Sequence, residues 1–344
     1  MGRFLADVHR GLKADGPILA GMLAVWALSV VLLATIGVNG LVAPAYRDNL
    51  VLYVAAVFTL LIVTLATVLL RHKPDRPIGF LRASFRDSGL AGRLASGVPM
   101  LVALVAFLPI FSKLKSAIPR FNPYTWDDTW IWLDRALHGT DPWRLLQPLV
   151  GYPAVTALLA FFYHLWILLL YVGAAYFCFF HADRVLRARF FIAYFACWAI
   201  LGVGMATALS SAGPCFVGPL FGDHRFDEQM AYLRSANEVY PIMVLPVQDM
   251  LLESYRTAGS GLGRGISAMP SMHVSIAVLF ALAVGQLSRA IGVVLGLFAA
   301  VVMIGSVHLA YHYAVDGYAS IVGTYLIWLA AGVLARRMTP APHA

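Results

Sequence analysis

Long apolar runs separated by short polar segments dominate the chain from residue 17 onward. Because about 20 mostly apolar residues are needed to cross the hydrocarbon core of a bilayer, each long run predicts a membrane-spanning helix. Eight runs qualify; the third is short and the last two are almost continuous, so seven spans is the nearest alternative. The predicted spans are residues 17–39, 50–70, 96–112, 153–180, 190–211, 271–288, 291–312 and 314–335. The pattern therefore predicts an all-α, polytopic membrane helix bundle of about eight transmembrane helices.

Composition agrees with a membrane protein and excludes several other classes. Charged residues make up 12% of the 344 residues and apolar residues 60%, with a mean hydropathy of +0.78. Soluble domains carry about twice that share of charge, so this chain could not cover a water-exposed surface. The net charge is +8, but no dense basic run supports nucleic acid as a partner. Basic residues in a membrane protein more often set its topology.

The distribution of Lys and Arg predicts the orientation. Fifteen of the 25 basic residues lie in the N-terminal segment, in the connections 71–95 and 181–189, at Arg289 and in the C-terminal tail. Short cytoplasmic segments are enriched in Lys and Arg, so both termini are expected in the cytoplasm. Segments 113–152 and 212–270 then lie at the outer face. The first has four tryptophans among charges, which is typical of a helix in the membrane interface.

Ionisable residues at membrane depth are costly, and here they gather at the ends of two late spans. In "GSVHLAYHYAVDG", residues 305–317, His308, His312 and Asp316 recur every fourth residue and would form one stripe if the segment is helical. A carboxylate beside His312 would fix one tautomer and make the other ring nitrogen a better base or nucleophile. In "RGISAMPSMHVS", residues 264–275, the Pro-Ser pair predicts a helix start with His273 in its first turn.

A third segment, "FSKLKSAIPRFNP" at 111–123, directly follows the third predicted span. It adds Lys113, Lys115 and Arg120 on the same predicted side as the histidines. Several cations, a helix N-terminus and two or three histidines at one membrane face favour binding of a phosphate.

These segments resemble the signature motifs of the type 2 phosphatidic acid phosphatase superfamily. PSMH at 270–273 resembles the second motif, HYAVD at 312–316 the third, and Lys113 and Arg120 have the Lys-x6-Arg spacing of the first. The run at 115–119 and the following "PYTWDD" are more similar to the inositol phosphorylceramide synthase branch. Three departures stand out: Pro119 precedes the arginine, Met272 replaces a glycine, and Ser306 replaces the arginine of the third motif.

The resemblance covers roughly residues 96–335 and implies a catalytic membrane domain with a six-helix phosphatase-like core. Residues 1–95 would then be a two-span extension with a cytoplasmic basic loop, and 336–344 a cytoplasmic tail. Together with the apolar runs and the distribution of Lys and Arg, this predicts an integral protein, expected in a bacterial inner membrane, with its active site on the extracytoplasmic face.

The chemistry implied by the resemblance is a two-step phosphoryl or phosphodiester transfer without metal or cofactor. His312 would be the nucleophile, Asp316 would orient it, and His273 would transfer protons. The phosphate would be held by Lys113, Arg120, Ser271, Arg264 and His308. The substrate would be a membrane phospholipid or lipid phosphate. An inositol-type headgroup would pass to an alcohol or sphingolipid acceptor, or water would hydrolyse phosphatidate-like or polyprenyl phosphates.

Other interpretations remain open for several of these residues. His308 is also typical of a histidine hydrogen-bonded between helices, Lys115 of an interfacial lysine, and Arg264 of a solvated loop residue. His164 and His224 have no partner at a useful spacing. Two other classes of function compete: a metalloenzyme using the His-x3-His pair with His273 and Asp316, and a lipid transporter without chemistry.

Overall fold

The computed structural model describes residues 2–180, 183–257, 259 and 261–339, which form fourteen helices and no strand. The helices are α1 (Gly2–Thr35), α2 (Ala43–His72), α3 (Pro77–Asp87), α4 (Leu90–Phe121), α5 (Asp127–His138), α6 (Pro142–Val150), α7 (Pro153–Phe179), α8 (Arg184–Ala208), α9 (Pro214–Phe221), α10 (Asp227–Val239), α11 (Val244–Arg256), α12 (Met272–Gly285), α13 (Arg289–His308) and α14 (Ala314–Met338). Both α7 and α8 contain a π-helical stretch, Leu169–Gly173 and Cys197–Met205 respectively.

Seven helices of the described residues are long and apolar enough to cross a bilayer: α1, α2, α4, α7, α8, α13 and α14. The predicted all-α membrane bundle is confirmed. The remaining predicted span, residues 271–288, corresponds to α12, which is apolar but only 14 residues long. It packs against α7, α8, α13 and α14, and most of its side chains are buried. A helix enclosed by other helices need not match the bilayer thickness by itself.

Contacts between helix ends place both ends of the described chain at the same end of the bundle. Arg187, near the start of α8, forms a largely buried ion pair with Asp15 of α1. Arg189 donates from Nε to the carbonyl oxygen of Trp328, in the second half of α14, at 3.1 Å. A Cβ atom on Gly332, six residues before the end of the same helix, would be 2.8 Å from Arg189 Nε. Both ends of a chain lie on the same side of a membrane only when the chain crosses it an even number of times, as the eight predicted spans do. Of the predicted tail 336–344, residues 340–344 lie outside the described part of the chain.

The opposite end of the bundle is where α4 and α13 end and α12 and α14 begin. Ser271 caps α12 by accepting a hydrogen bond from the Val274 N–H, so the predicted helix start is confirmed. The predicted continuous stripe is wrong, because α13 ends at His308 and α14 begins only at Ala314. Between them Ala310 has a φ of 62°, which stops the helix.

The amphipathic helices α5 and α6 cover this end of the bundle. Only part of the predicted interfacial aromatic surface is present, because the indoles of Trp130 and Trp143 are buried against the ends of α13 and α14. Trp132, by contrast, is 66% exposed. These two helices therefore form a packed layer above the residues between α13 and α14.

Candidate active site

The predicted contact between His312 and Asp316 is present although the helix is broken between His308 and Ala314. His312 Nδ1 lies 3.2 Å from Asp316 Oδ2, and the Tyr313 N–H donates to the same oxygen at 3.0 Å. The carboxylate is fully buried at the third position of α14. A proton on Nδ1 is the tautomer that this carboxylate favours, which leaves the lone pair on Nε2.

His273 lies in the first turn of α12, opposite His312. Its ring lies between Tyr163, which stacks on it at 4.3 Å, and Trp166, also with its centroid at 4.3 Å. The two imidazole centroids are 6.4 Å apart. This separation is compatible with a group between the two rings that is attacked by one imidazole at about 3 Å and exchanges a proton with the other at hydrogen-bond distance. These aromatic neighbours hold the plane of the His273 ring, and no charged side chain of the described residues forms a hydrogen bond or ion pair with it.

Both histidines line a cavity of about 360 Å³, which we call the histidine cavity. Its polar lining includes Lys115, His164 and the two histidines, and the rest of the wall is mainly aliphatic and aromatic. The apolar wall includes Leu52, Leu108, Phe111, Leu170, Trp198 and Met250. A mainly apolar pocket with a few converging polar groups is typical of a small-molecule site.

The environment of His312 keeps its imidazole neutral. Burial is the main effect that lowers the pKa of His312, to about 3, and the positive charge of Lys115 lowers it further. The Ala268 carbonyl opposes this shift by favouring the protonated ring. At neutral pH the ring therefore has a free lone pair, as a nucleophile requires.

Three of the expected phosphate ligands lie elsewhere. Lys113, Arg120 and Arg264 line a second cavity of about 300 Å³, and none of them lines the histidine cavity. The reason is that α4 continues to Phe121 instead of ending near residue 112. Residues seven apart in a helix share a face, so Lys113 and Arg120 point the same way, whereas Lys115, two residues on, points to the other side.

The other two expected phosphate ligands have partners within the protein. Ser271 is fully buried and its hydroxyl caps α12. His308 Nε2 is 2.8 Å from the Thr156 hydroxyl oxygen, which is in turn 2.6 Å from the Tyr232 hydroxyl. His308 is only 1% exposed and lines neither cavity. Its position fits the alternative of a histidine hydrogen-bonded between helices.

Sequence reasoning missed two groups of residues in the histidine cavity. Lys115 lies in its wall, so it is not only an interfacial lysine, and His164 lines the same cavity with Nδ1 at 2.9 Å from the Ala160 carbonyl oxygen. The aromatic pair around His273 was missed as well. A histidine inside a predicted span was the available signal, because polar groups at that depth are costly.

Two aspartates of α5 hold the backbone around the site. The Asp127 carboxylate accepts hydrogen bonds from the N–H groups of Ala212 and Gly213 at 2.9 Å. The Asp134 carboxylate accepts from the N–H groups of Ala314 and Val315, at 2.8 and 3.0 Å, and so caps the start of α14. Burial raises the pKa of both carboxyl groups, and these N–H donors oppose that shift.

The residues between α13 and α14 are also held by two glutamines. The Gln229 side-chain amide donates to the Val307 carbonyl at 2.8 Å and to the His308 carbonyl at 3.1 Å. The Gln248 amide donates to the Leu309 carbonyl at 2.8 Å. Val307 and His308 are the last residues of α13 and Leu309 follows it, so the helix itself supplies no i+4 N–H donor for their carbonyls. The segment that carries His312 is thus fixed from α10 and α11.

The proposed metal-ligand set is not assembled. Among the described residues, no group of three or more His, Cys, Asp or Glu side chains is arranged to hold a metal ion. His308 and His312 are separated by the break between α13 and α14, and Lys115 in the cavity wall would repel a dication. The donor set therefore does not fit the metalloenzyme alternative.

The fold and this pair of histidines define a polytopic helical membrane protein with two imidazoles in one mainly apolar cavity. The model of the PAP2 superfamily matches residues 129–331, more than half of the chain. The chain belongs to this superfamily, which is the one that its motifs resemble. The match includes His273, His312 and Asp316, but it does not extend to Lys113 or Arg120. No curated protein and no solved structure matches the chain significantly.

Proposed function

We propose that the protein is a lipid phosphotransferase or phosphatase that acts through a phosphohistidine on His312. The observation that carries this proposal is the pairing of His312 with Asp316 across one cavity from His273, with Lys115 in the same wall. A neutral imidazole held by a buried carboxylate suits a nucleophile, and the second imidazole suits proton transfer.

In the first step, His312 Nε2 attacks phosphorus in line and the P–O bond to the leaving group breaks. His273, which enters this step as an imidazolium, donates its proton to the departing alkoxide and becomes neutral, and the imidazolium that forms on His312 is stabilised by Asp316. In the second step, His273 accepts a proton from the acceptor hydroxyl as its oxygen attacks phosphorus. The P–N bond then breaks and His312 returns to its neutral form. Positioned acid–base catalysis of this kind contributes about 10²–10⁴ in rate.

Lys115 supplies the positive charge for the transferring phosphoryl oxygens in this proposal. It lines the histidine cavity, whereas the arginine position of the third motif is occupied by Ser306. The Ser306 carbonyl accepts hydrogen bonds from the N–H groups of Tyr311 and His312, at 3.1 and 3.0 Å, so this serine supports the backbone of the site. One lysine would act here as a point charge without the bidentate geometry of arginine.

The apolar wall of the histidine cavity supports a lipid as substrate. Transfer of an inositol-type phosphate headgroup to a sphingolipid or other alcohol is the acceptor chemistry we propose, on the strength of the sequence resemblance at 115–128. Water as acceptor would make the protein a phosphatase of phosphatidate-like or polyprenyl phosphates. Incubation of the purified protein with labelled phosphatidylinositol and ceramide, and separately with lipid phosphates, separates these reactions. Release of inorganic phosphate alone would favour the phosphatase.

The roles of the two histidines are tested by trapping the intermediate. His312→Ala should abolish formation of an acid-labile phosphoenzyme. His273→Ala should still form some with a substrate whose leaving group needs little protonation, and should then turn over slowly. Asp316→Asn should slow the first step while the protein remains folded. Phosphoenzyme in His312→Ala but not in His273→Ala would reverse the two roles, and none in the unsubstituted protein would refute the mechanism.

We also propose that the histidine cavity opens toward the extracytoplasmic face. The excess of Lys and Arg in the segments at the opposite end of the bundle supports this orientation. Reporter fusions after residue 90 should score as cytoplasmic and fusions after residue 230 as external. The reverse pattern would place the reaction in the cytoplasmic leaflet.

Metal independence is part of the same proposal. It is supported by Lys115 beside the two histidines, since a positive side chain suits an anionic phosphate better than a dication. Turnover of any phospholipid substrate should persist in strong chelators. Loss of activity on removal of a stoichiometric metal, with recovery when it is restored, would contradict this.

A further inference from the structure

The cavity lined by Lys113, Arg120 and Arg264 lies on the other side of α4 from the histidine cavity. It is bounded by the last turns of α4, the end of α11, Val38 between α1 and α2, and the segment before Ile266. Ile266 lines both cavities. We call this space the basic cavity.

A packed wall separates the two spaces. Gly265 lies so close to α4 that a Cβ atom on it would be 2.7 Å from the Ser116 nitrogen and 2.8 Å from the Lys115 Cγ. On the same segment, the Gly263 N–H donates to the Ser112 hydroxyl at 3.2 Å. Lys115 therefore faces the histidines, whereas Lys113 faces the basic cavity, with backbone packed between them.

The charged side chains that line the basic cavity in the described part of the chain are all positive. Of the described residues that line it, three are cationic and none is acidic. Arg120 is held in place by donating to the Ile36 carbonyl at 2.8 Å, which ties the cavity to the N-terminal pair of helices. Cations at the end of a membrane helix lie at headgroup depth, where phosphate groups of lipids are the abundant anions.

We propose that the basic cavity is a separate binding site for the phosphate of an anionic lipid headgroup, which does not react at the histidines. The cavity is concave and has about 300 Å³ of space. Such a cavity can enclose a headgroup, which basic side chains scattered over a flat membrane interface cannot do. The site combines α4 and the α1–α2 connection, both outside the segment 129–331 that the family model matches, with Arg264 from within it. Binding here does not depend on the proposed reaction.

The test uses the purified full-length protein and a photoreactive phosphatidylglycerol, with phosphatidylcholine as the zwitterionic comparison. Adducts are mapped by mass spectrometry to the peptides that carry Lys113 and Arg264. We expect the double substitution Lys113→Met with Arg264→Met to weaken phosphatidylglycerol binding about tenfold or more, since each basic residue near a membrane surface contributes about fivefold. Competition by inorganic phosphate would show that the phosphate group alone suffices; no competition would show that the lipid is required.

Two further variants keep this test decisive. Arg264→Lys retains the charge and should retain binding, which separates loss of charge from loss of fold. Lys115→Met removes a cation from the opposite face of α4 and should leave phosphatidylglycerol affinity at this site unchanged. If the double variant binds phosphatidylglycerol as tightly as the unsubstituted protein does, the proposal is overturned. Loss of phosphoenzyme formation in the double variant would overturn it as well, because the two cations would then act at the histidines. Adduct formation needs no turnover, so a failure of the proposed mechanism would be seen separately.

Discussion

The Tyr313 hydroxyl donates a 2.8 Å hydrogen bond to the Asp127 carboxylate, which joins the residue after His312 to the covering helix α5. The same carboxylate accepts the N–H groups of Ala212 and Gly213, so one side chain connects three segments far apart in the sequence. All of these groups are buried, and a buried network of this kind is costly to leave incomplete. The position of His312 thus depends on a residue that does not line the histidine cavity.

Asp127→Asn tests this dependence. An asparagine amide has only one acceptor oxygen, and its NH2 group would face some of the donors that now bind the carboxylate, the N–H groups of Ala212 and Gly213 and the Tyr313 hydroxyl. We therefore expect the free energy of unfolding to fall by about 1–3 kcal/mol. The phosphorylation rate should also fall because His312 is less well positioned. Thermal unfolding in detergent and single-turnover phosphoenzyme formation measure the two effects. In a double-mutant cycle with Tyr313→Phe, the two substitutions should be non-additive.

The matched control is Asp128→Asn. Asp128 is the neighbouring carboxylate, but its side chain is 81% exposed and pairs only with Arg225 among its described contacts. Exposed ion pairs contribute about 0–1 kcal/mol, so this variant should keep both stability and rate. Equal effects of the two substitutions would show that Asp127 has no special structural role.

Gly213→Ala should disturb the same network from the backbone side. Gly213 has a φ of 99°, and a Cβ atom there would be 2.6 Å from the Tyr311 carbonyl oxygen, one residue before His312. Steric overlap with backbone adds to a conformational cost of about 1–3 kcal/mol. The control is Gly222→Ala, which also has a positive φ, 69°, but no heavy atom within 4 Å of the added Cβ. Only Gly213→Ala should reduce the phosphorylation rate as well as stability.

His308 should matter for stability and not for substrate binding. Thr156→Val removes the hydroxyl that contacts His308 Nε2 and leaves a buried polar atom without that partner, at a cost of about 1–3 kcal/mol. KM for a lipid substrate should change by less than about threefold, because neither residue lines the histidine cavity. A large increase in KM with unchanged stability would indicate instead that His308 binds the substrate phosphate, as the sequence resemblance implies.

The sequence was sufficient for the features that depend on local pattern. Apolar runs located the spans. The contact between His312 and Asp316 is present despite the break between α13 and α14, because Asp316 lies in the first turn of α14 and His312 lies just before that helix. Hydropathy was misleading at the end of α4. Charged residues ended the apolar run near residue 112, but the helix continues to Phe121, and this determines which lysine faces which cavity.

The roles of Asp127 and Asp134 could not be predicted from the local sequence pattern, for a different reason. Asp127 and Asp134 are seven residues apart and share one face of α5, but their partners are backbone N–H groups about 85 and 180 positions away. Nothing near them in the sequence indicates which helix they cap. Such contacts follow only from the packing of α5 on the end of the bundle.

Lys115→Met should change both the rate of phosphorylation and its pH dependence. Removing the cation from the cavity wall should lower the rate by about 10²–10³, as the loss of one preorganised electrostatic contact does in other active sites. The pKa of His312 lies below its usual value, with burial as the main cause and Lys115 as the next. Without the positive charge the imidazolium becomes easier to form, so this pKa should rise and the acid limb of kcat/KM should move to higher pH. Lys113→Met, on the opposite face of α4, should leave that limb in place. If the limb moves in Lys113→Met instead, or moves to lower pH in Lys115→Met, then Lys115 does not act on His312 as this geometry indicates.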